Sequence, residues 1–359
     1  MAQSHGTIIV PIALSLRPAS SRGHGGSQLF TKNLNIRFCI IIILMKKTHI
    51  LIFVAVILFG AFFLYENRGA KILFVGDMFF DRYIREVSYV KGGDFVFSCI
   101  NNFLKDSDLV VGNLEGPITE NASISMLTKP GGDGNYTFTF PTNTAKLLAD
   151  NNIRLVNLGN NHIGNFGQEG IASTIKYLSE ADVNYFGGLS GDLPDDEVGE
   201  PIYRTNMGGT NVSFISYNEF GGDSSKKVVQ KISDEKKNGQ TVFVYAHWGD
   251  EYSDVPARIK NTAALFAKSG ASFIVGSHPH IVLPSEKIPS TNSGQEGTDS
   301  TGSPQATVYY SLGNFIFDQY WNSDVSTGLV LEMYIKNGNI KIIEHKVSLN
   351  RDGRTCLVN

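Results

Sequence analysis

The chain has 359 residues, 42% hydrophobic and 18% charged, the balance of a folded protein rather than a disordered one. Its formal net charge is -3 and its basic residues are scattered, not striped, which argues against a nucleic-acid surface. The 3 cysteines, Cys39, Cys99 and Cys356, lie far apart without a C-x-x-C pair. Any metal is therefore expected on nitrogen and oxygen ligands, and a Cys99–Cys356 bridge is not expected.

Residues 1–44 mix Ser, Gly and Arg with an apolar patch at Phe38–Leu44 and keep no sustained period. They read as an upstream mis-start or a disordered extension, with Met45-Lys46-Lys47 as the natural start. The run Ile50–Tyr65 is almost wholly apolar and follows Lys46 and Lys47. Basic residues before an apolar stretch are the pattern of a signal anchor, and no small-x-small cleavage site follows it. Residues 45–69 are expected to form one N-terminal transmembrane anchor at the cell membrane, with a cytoplasmic N-terminus and an extracytoplasmic remainder.

From Lys71 onward, short apolar runs alternate with amphipathic segments. Strands are predicted at Ile72–Val75, Leu109–Gly112, Leu155–Leu158, Val212–Ser216, Thr241–Tyr245, Phe273–Val275 and Thr307–Tyr310. Helices are predicted at Thr144–Asn151, Gly170–Ala181 and Ile259–Ser269. The alternation predicts an α/β domain over residues 70–350, followed by a tail at 351–359. Leu329–Ile335 and Ile340–Val347 flank Asn337-Gly338, a strong hairpin signal. Glu120–Asn135, Gly187–Pro201 and Ser285–Pro304 read as loops, the last as a mobile surface insertion.

Polar, metal-competent residues gather just past the strands. Gly76-Asp77 follows the first and Asn113-Leu114-Glu115 the second; Asn160-Asn161-His162 follows the third. His247-Trp248-Gly249 and Ser277-His278-Pro279-His280 follow two later ones. Carboxyl ends of strands in an open α/β sheet form one rim, so these loops are expected to converge. Asp77 alone reads equally well as a helix cap, and Glu115 as a plain loop carboxylate. Two histidines around a proline are more specific: Pro279 is expected to hold His278 extended, with both rings beside a strand end.

The motifs Gly76-Asp77 through Arg82, Asn113-Leu114-Glu115, Asn160-Asn161-His162, His247-Trp248-Gly249, Gly276 to His280 and Tyr310-Ser311-Leu312-Gly313-Asn314-Phe315 resemble, in order, those of the CapA family. That family is named for bacterial capsule and poly-γ-glutamate synthesis and is similar to calcineurin-like metallophosphoesterases. The resemblance runs from about Lys71 to Glu332. It implies a metallophosphoesterase-like sandwich of two mixed sheets flanked by helices, with one or two divalent metal ions. Asp77 and His280 would hold one metal; Asn161, His247 and His278 would hold the second, with Glu115 bridging. His162 would stay off the metals as general acid or charge stabiliser, and Arg82 would contact an anionic substrate. Mixed imidazole, carboxylate and amide ligands suit Mn²⁺, Fe²⁺ or Zn²⁺.

Two positions depart from the pattern. Phe79 stands where phosphoesterases have the histidine of Asp-x-His, leaving Asp81 to compensate, and Asn165 stands where an acid is common. Of the aromatics near the rim, Phe315 and Phe317 read as core, and Tyr320 and Trp321 as groove lining. The implied function is capsule or poly-γ-glutamate synthesis or export by a metal-dependent hydrolase or transferase. Its substrate would be an anionic polymer or phosphoester, and its partners membrane proteins of capsule synthesis. The alternative is a non-catalytic structural or polymer-binding component of an envelope export complex.

Overall fold

The computed structural model describes residues 52–53, 56, 68–128, 132–188, 202–221, 225–289 and 305–358. The expected extension at 1–44 and nearly all of the expected anchor lie outside them. Among the described residues, no helix is long and apolar enough to cross a membrane.

In chain order the first strands are β1 (Ala70–Met78), β2 (Leu109–Leu114), β3 (Ile153–Asn157), β4 (Asn184–Phe186), β5 (Ile202–Met207), β6 (Thr210–Asn218) and β7 (Thr241–His247). Then come β8 (Ala271–Ser277), β9 (Val282–Pro289), β10 (Gln305–Leu312), β11 (Asn314–Ile316), β12 (Thr327–Lys336), β13 (Asn339–Leu349) and β14 (Thr355–Leu357). Every strand read from an apolar run is present. Ser285–Pro289, read as loop, instead completes β9, which pairs antiparallel with β10. Its alternating charges, Glu286 and Lys287, sit on a sheet edge, where charge guards against unwanted pairing.

One sheet has the order β14-β13-β12-β1-β2-β3-β4, with β11 also paired to β1, and the other β5-β6-β7-β8-β10-β9. Both are mixed. β1 to β4 run parallel, as do β6, β7, β8 and β10, while β12–β14, β5 and β9 add antiparallel neighbours.

Successive strand side chains point to opposite faces, and β1 uses both. Ile72 and Phe74 belong to the layer between the sheets, whereas Leu73 and Val75 belong to the layer under the helices. Phe74 meets Phe214, Phe243 and Phe273 of the opposite sheet with ring centroids 6.2, 5.8 and 5.4 Å apart. The Tyr245 hydroxyl crosses between the sheets to donate to the Val75 carbonyl at 2.5 Å. The helices Thr144–Asp150 and Gly167–Glu180 bury Leu148, Ile171 and Leu178 against the first sheet. Ser225–Lys237 and Ala257–Ser269 bury Val228, Ile232, Ile259 and Phe266 against the second. The Asn-Gly hairpin forms as expected, with Asn337 at φ 48° and Gly338 at φ 80°, the left-handed pair a tight I′ turn needs.

The expectation against a disulfide is corrected. Cys99 and Cys356 are bonded across a sequence separation of 257 residues. The segment read as a tail carries β14, which pairs with β13 and so returns Cys356 to the region just after the 3₁₀ turn Gly93–Phe97. Spacing alone hides such a bridge, because the edge pairing that brings the two cysteines together is not local.

β1 ends in a close backbone approach. A Cβ at Gly76 would lie 1.9 Å from the Gly313 carbonyl oxygen, and the next residue, Asp77, donates its N–H to that same oxygen at 3.1 Å. Gly76→Ala is therefore expected to cost about 3 kcal/mol, read as a fall in thermal midpoint. An unchanged midpoint would show that β11 can retreat from β1.

Candidate metal centre

The rim is built from lateral rows of polar residues at the carboxyl ends of both sheets. In the first sheet, Asn314, Asp77, Asn113 and Asn157 lie side by side across β11, β1, β2 and β3. In the second, Asn218, His247 and Ser277 do so across β6, β7 and β8. In β1, β2, β7 and β8 an apolar run (Ile72–Gly76, Leu109–Gly112, Val242–Ala246 and Phe273–Gly276) leads directly to this row. A register irregularity in β1 between Phe74 and Asp77 is the device that re-aims a side chain at a rim. All seven are buried, so their polar atoms need partners.

Asn113 is the hub. Its Nδ2 donates to Asp77 Oδ1 at 2.8 Å and lies 3.3 Å from His247 Nδ1. Its Oδ1 accepts from Asn157 and Asn160, each at 3.1 Å. Sequence reading placed Asn113 in a motif but gave it no role. An Asn at three of the four positions of the first-sheet row, with Asp77 at the fourth, is the signal that could have found it.

The six predicted ligands come together. The Asn161 Oδ1 atom lies 2.9 Å from His247 Nε2, and His247 Nδ1 lies 3.0 Å from Ser277 Oγ. The rings of His247 and His278 are 4.8 Å apart, and those of His278 and His280 5.9 Å. Asp77 Oδ2 accepts the His278 N–H at 3.1 Å and stands 3.4 Å from His280 Nδ1. Ligand atoms of Glu115, His278 and His280, all three buried, lie within 4.8 Å of one another.

Two buried atoms in this cluster, Glu115 Oε1 and His278 Nδ1, have no hydrogen-bond partner. His280 Nε2 comes within 3.5 Å of that Glu115 oxygen without forming a hydrogen bond. Unsatisfied buried polar atoms cost free energy, and a nitrogen and oxygen donor set around them fits a divalent cation.

The electrostatics agree. Burial, and then the Asp77 charge, raise the Glu115 carboxyl well above its usual range. Burial also pushes Asp77 up, but the His280 hydrogen bond, the His280 and His247 charges and the His278 N–H together outweigh it and hold Asp77 low. Burial holds His247 well below the ordinary imidazole value and brings His278 down to about 3. Neutral imidazoles beside a costly buried acid are ready ligands, since a metal needs their lone pairs.

The Ser277–His280 turn departs from expectation. His278 is not extended: its φ is 94°, and that of His280 is 58°. Left-handed backbone costs a non-glycine residue about 1–3 kcal/mol. The cost is met where Asp77 takes the His278 N–H, the Ser277 carbonyl accepts from Trp248 N at 3.1 Å, and the Pro279 carbonyl accepts from Tyr252 N at 2.9 Å.

Phe79, standing in the histidine position, is buried in an aromatic cluster, stacked on Phe317 at 4.7 Å and edge-on to Phe138 at 4.8 Å. Asp81 does not compensate. Its carboxylate is occupied by Arg85 Nε at 2.8 Å, Ser125 Oγ at 2.8 Å and Thr139 N at 3.0 Å. Arg82 forms a two-pronged pair with Asp318, at 2.6 and 3.0 Å, and lies over the Phe79 ring at 4.5 Å. His162 sits on the wall, its ring 4.1 Å from Phe138 and its Nδ1 3.3 Å from Asn165 Oδ1. Asn165 is fixed in turn by the Phe138 N–H, at 2.8 Å.

Beside the centre lies a cavity of about 430 Å³ whose lining includes Arg82, Tyr83, Tyr136, Tyr252 and Trp321. Tyr252 joins the two, 5.9 Å from the His280 ring and 5.4 Å from Trp321. Trp321 lines the groove as expected. Tyr320 does not: it packs on the core beneath the first sheet and edge-on to Tyr83. Phe315 and Phe317 are core, as expected.

Fold and site together define an α/β sandwich of two mixed sheets with a buried His, Glu and Asp cluster suited to a metal at one rim. The model of the family "Bacterial capsule synthesis protein PGA_cap" matches residues 71–319, and the chain belongs to that family. It is 28% identical over 298 residues to the capsule biosynthesis protein CapA of Bacillus anthracis, covering 78% of this chain and 67% of that one. It is 29% identical over 292 residues to the PGA biosynthesis protein CapA of Bacillus subtilis strain 168, covering 76% and 70%. Among solved structures, a phosphatase from Mycoplasma pneumoniae is similar with a TM-score of 0.45 and 12% identity, covering 78% of this chain and 94% of that one. Similarity at that level establishes nothing about activity.

Proposed function

We propose that this protein is a membrane-anchored, extracytoplasmic enzyme of capsule or poly-γ-glutamate synthesis or export. It would act as a metal-dependent hydrolase or transferase on an ester, phosphoester or amide bond. The observation that carries this reading is the buried cluster of Glu115, His278 and His280, whose Glu115 oxygen lacks a partner. Those three residues, with Asp77, Asn161 and His247 beside them, would hold one or two divalent ions. Mn²⁺, Fe²⁺ and Zn²⁺ suit these donors. A bound cation supplies Lewis-acid polarisation of the scissile group.

His162 stands at the edge of this cluster. Burial brings its imidazole down to about 4, which supports a proton acceptor or neutral hydrogen-bond donor over a protonated general acid. Arg82, already paired with Asp318, would orient substrate at the mouth of the groove. Two features support an extracytoplasmic location: the apolar run after Lys46 and Lys47, and the disulfide, a bond that persists in oxidising compartments. Membrane proteins of capsule synthesis are the partners this role requires.

The aromatic packing at Phe79 favours the second reading, a non-catalytic polymer-binding component. One assay separates the two. Full-length protein loaded with Mn²⁺ is expected to turn over a chromogenic phosphodiester or poly-γ-glutamate. His162→Ala should lower that turnover by about 100-fold or more with metal content unchanged. Metal-loaded wild type without turnover on either substrate supports the non-catalytic role.

A further inference from the structure

We propose that Asn314 is a positioning residue that fixes His280 as the Nδ1–H tautomer, so that the Nε2 lone pair is the one offered to a metal ion. The Tyr310–Phe315 motif has no role in the reading above. The inference depends on that reading for its purpose and on separate geometry for its content.

β11 is only three residues long, yet it seats Asn314 laterally beside Asp77 in the parallel register with β1. Asn314 is fully buried, so each of its amide atoms has a definite task. Its Nδ2 faces three acceptors: the Val325 carbonyl at 3.0 Å, the His280 carbonyl at 3.3 Å and Gln319 Oε1 at 3.0 Å. Two of these are backbone oxygens that can only accept, which sets the amide orientation and leaves Oδ1 on the opposite side. Oδ1 lies 2.9 Å from His280 Nδ1. An amide oxygen cannot donate, so the proton of this contact belongs to the histidine.

Among the described residues, the other polar atom near Nδ1 is Asp77 Oδ2 at 3.4 Å, an oxygen that already accepts the His278 N–H at 3.1 Å. It too acts as an acceptor. A neutral imidazole carries one N–H, so Nε2 is left as the lone pair, and it faces Glu115 Oε1 at 3.5 Å. The same Asn314 amide grips both the ring and the main-chain carbonyl of His280, whose φ of 58° needs an outside hold. Gln319 extends the grip, donating from Nε2 to the Tyr252 hydroxyl at 2.9 Å, so the tyrosine whose ring lies 5.9 Å from that of His280 belongs to the same chain of contacts. Orienting partners of this kind set which nitrogen of a histidine binds metal.

Two measurements on the full-length protein test this. The first is ¹⁵N NMR of metal-free, histidine-labelled protein at pH 9, where an ordinary imidazole is neutral. The His280 signal, assigned by its loss in His280→Gln, is expected to report a protonated Nδ1 and an unprotonated Nε2; the reverse tautomer overturns the assignment. The second is calorimetric titration with Mn²⁺. Asn314→Leu should weaken binding by about 10- to 100-fold, whereas Asn314→Asp, which keeps the acceptor but loses every Nδ2 hydrogen bond, should retain most of it. A merely structural role predicts the Asp variant to be no better than the Leu variant, and that result overturns the proposal. If wild type binds no Mn²⁺, the metal-centre reading fails, while the tautomer experiment still decides the role of Asn314.

Discussion

Replacing Glu115 by Gln is expected to stabilise the metal-free protein at pH values where an ordinary carboxyl is ionised and, at the same time, to remove most of its stabilisation by metal. Both effects follow from one buried carboxyl. Glu115 is fully buried, its Oε1 has no partner, and burial and Asp77 raise its pKa. A carboxyl whose folded pKa is raised above its unfolded value of about 4.5 contributes stability that is complete below that value. The contribution is lost as pH rises through the folded pKa. Metal-free wild type should therefore melt at progressively lower temperature as pH rises above about 4.5 toward the folded pKa, and Glu115→Gln should lack that part of the decline.

Metal reverses the sign for wild type. A ligand at 1,000 times its Kd stabilises the folded state by about 4 kcal/mol, or roughly 10 °C for a domain of this size. Glu115→Gln, short of one anionic donor, should show little of that gain. Differential scanning calorimetry of both proteins with and without Mn²⁺, from about pH 4 to 9, checks all four curves. A wild-type midpoint indifferent to both pH and metal would mean that Glu115 is satisfied in some other way.

Removing the disulfide should produce the largest loss of stability that leaves the metal centre intact. The Cys99–Cys356 bond closes a loop of 257 residues, and in the chain-entropy picture long loops gain most from closure. Cys99→Ser with Cys356→Ser is expected to cost about 4 kcal/mol, lowering the thermal midpoint by roughly 10 °C. Mn²⁺ affinity should stay unchanged, because neither cysteine is among the metal-competent residues at the rim. β14, with its 3 residues, should be the first element to lose protection from hydrogen exchange. An equal midpoint in reduced and oxidised protein would show that the pairing of β13 with β14 holds the C-terminal segment by itself.

What the sequence revealed followed from local physics. Apolar runs such as Ile72–Val75 and Phe273–Val275 must be buried, and the polar residues just past them must then stand at a strand end. That reasoning brings Asp77, Asn161, His247 and His280 to one rim. It failed where the determining contact is distant in sequence. Cys356 reaches Cys99 only through β14. Ser285–Pro289 is a strand only because β10 lies beside it. His278 takes left-handed backbone because the Asp77 carboxylate, 201 residues away, accepts its N–H. A metal role for Asp81, expected from its place beside Phe79, fails because its orientation toward Arg85, Ser125 and Thr139 is set by elements whose packing no spacing reveals. The motifs that contain Asn113 and Asn314 reveal no role for either, since the work of an asparagine amide depends on which neighbour faces each of its two ends.

Anomalous diffraction from crystals of the protein grown with Mn²⁺ or Zn²⁺ examines the centre itself. A peak is expected within about 2.0–2.3 Å of a Glu115 oxygen and of one ring nitrogen each from His278 and His280, the His280 atom being Nε2. No peak at saturating metal, or a peak confined to surface carboxylates, would contradict a cation at this rim, and the hydrolytic reading would fall with it.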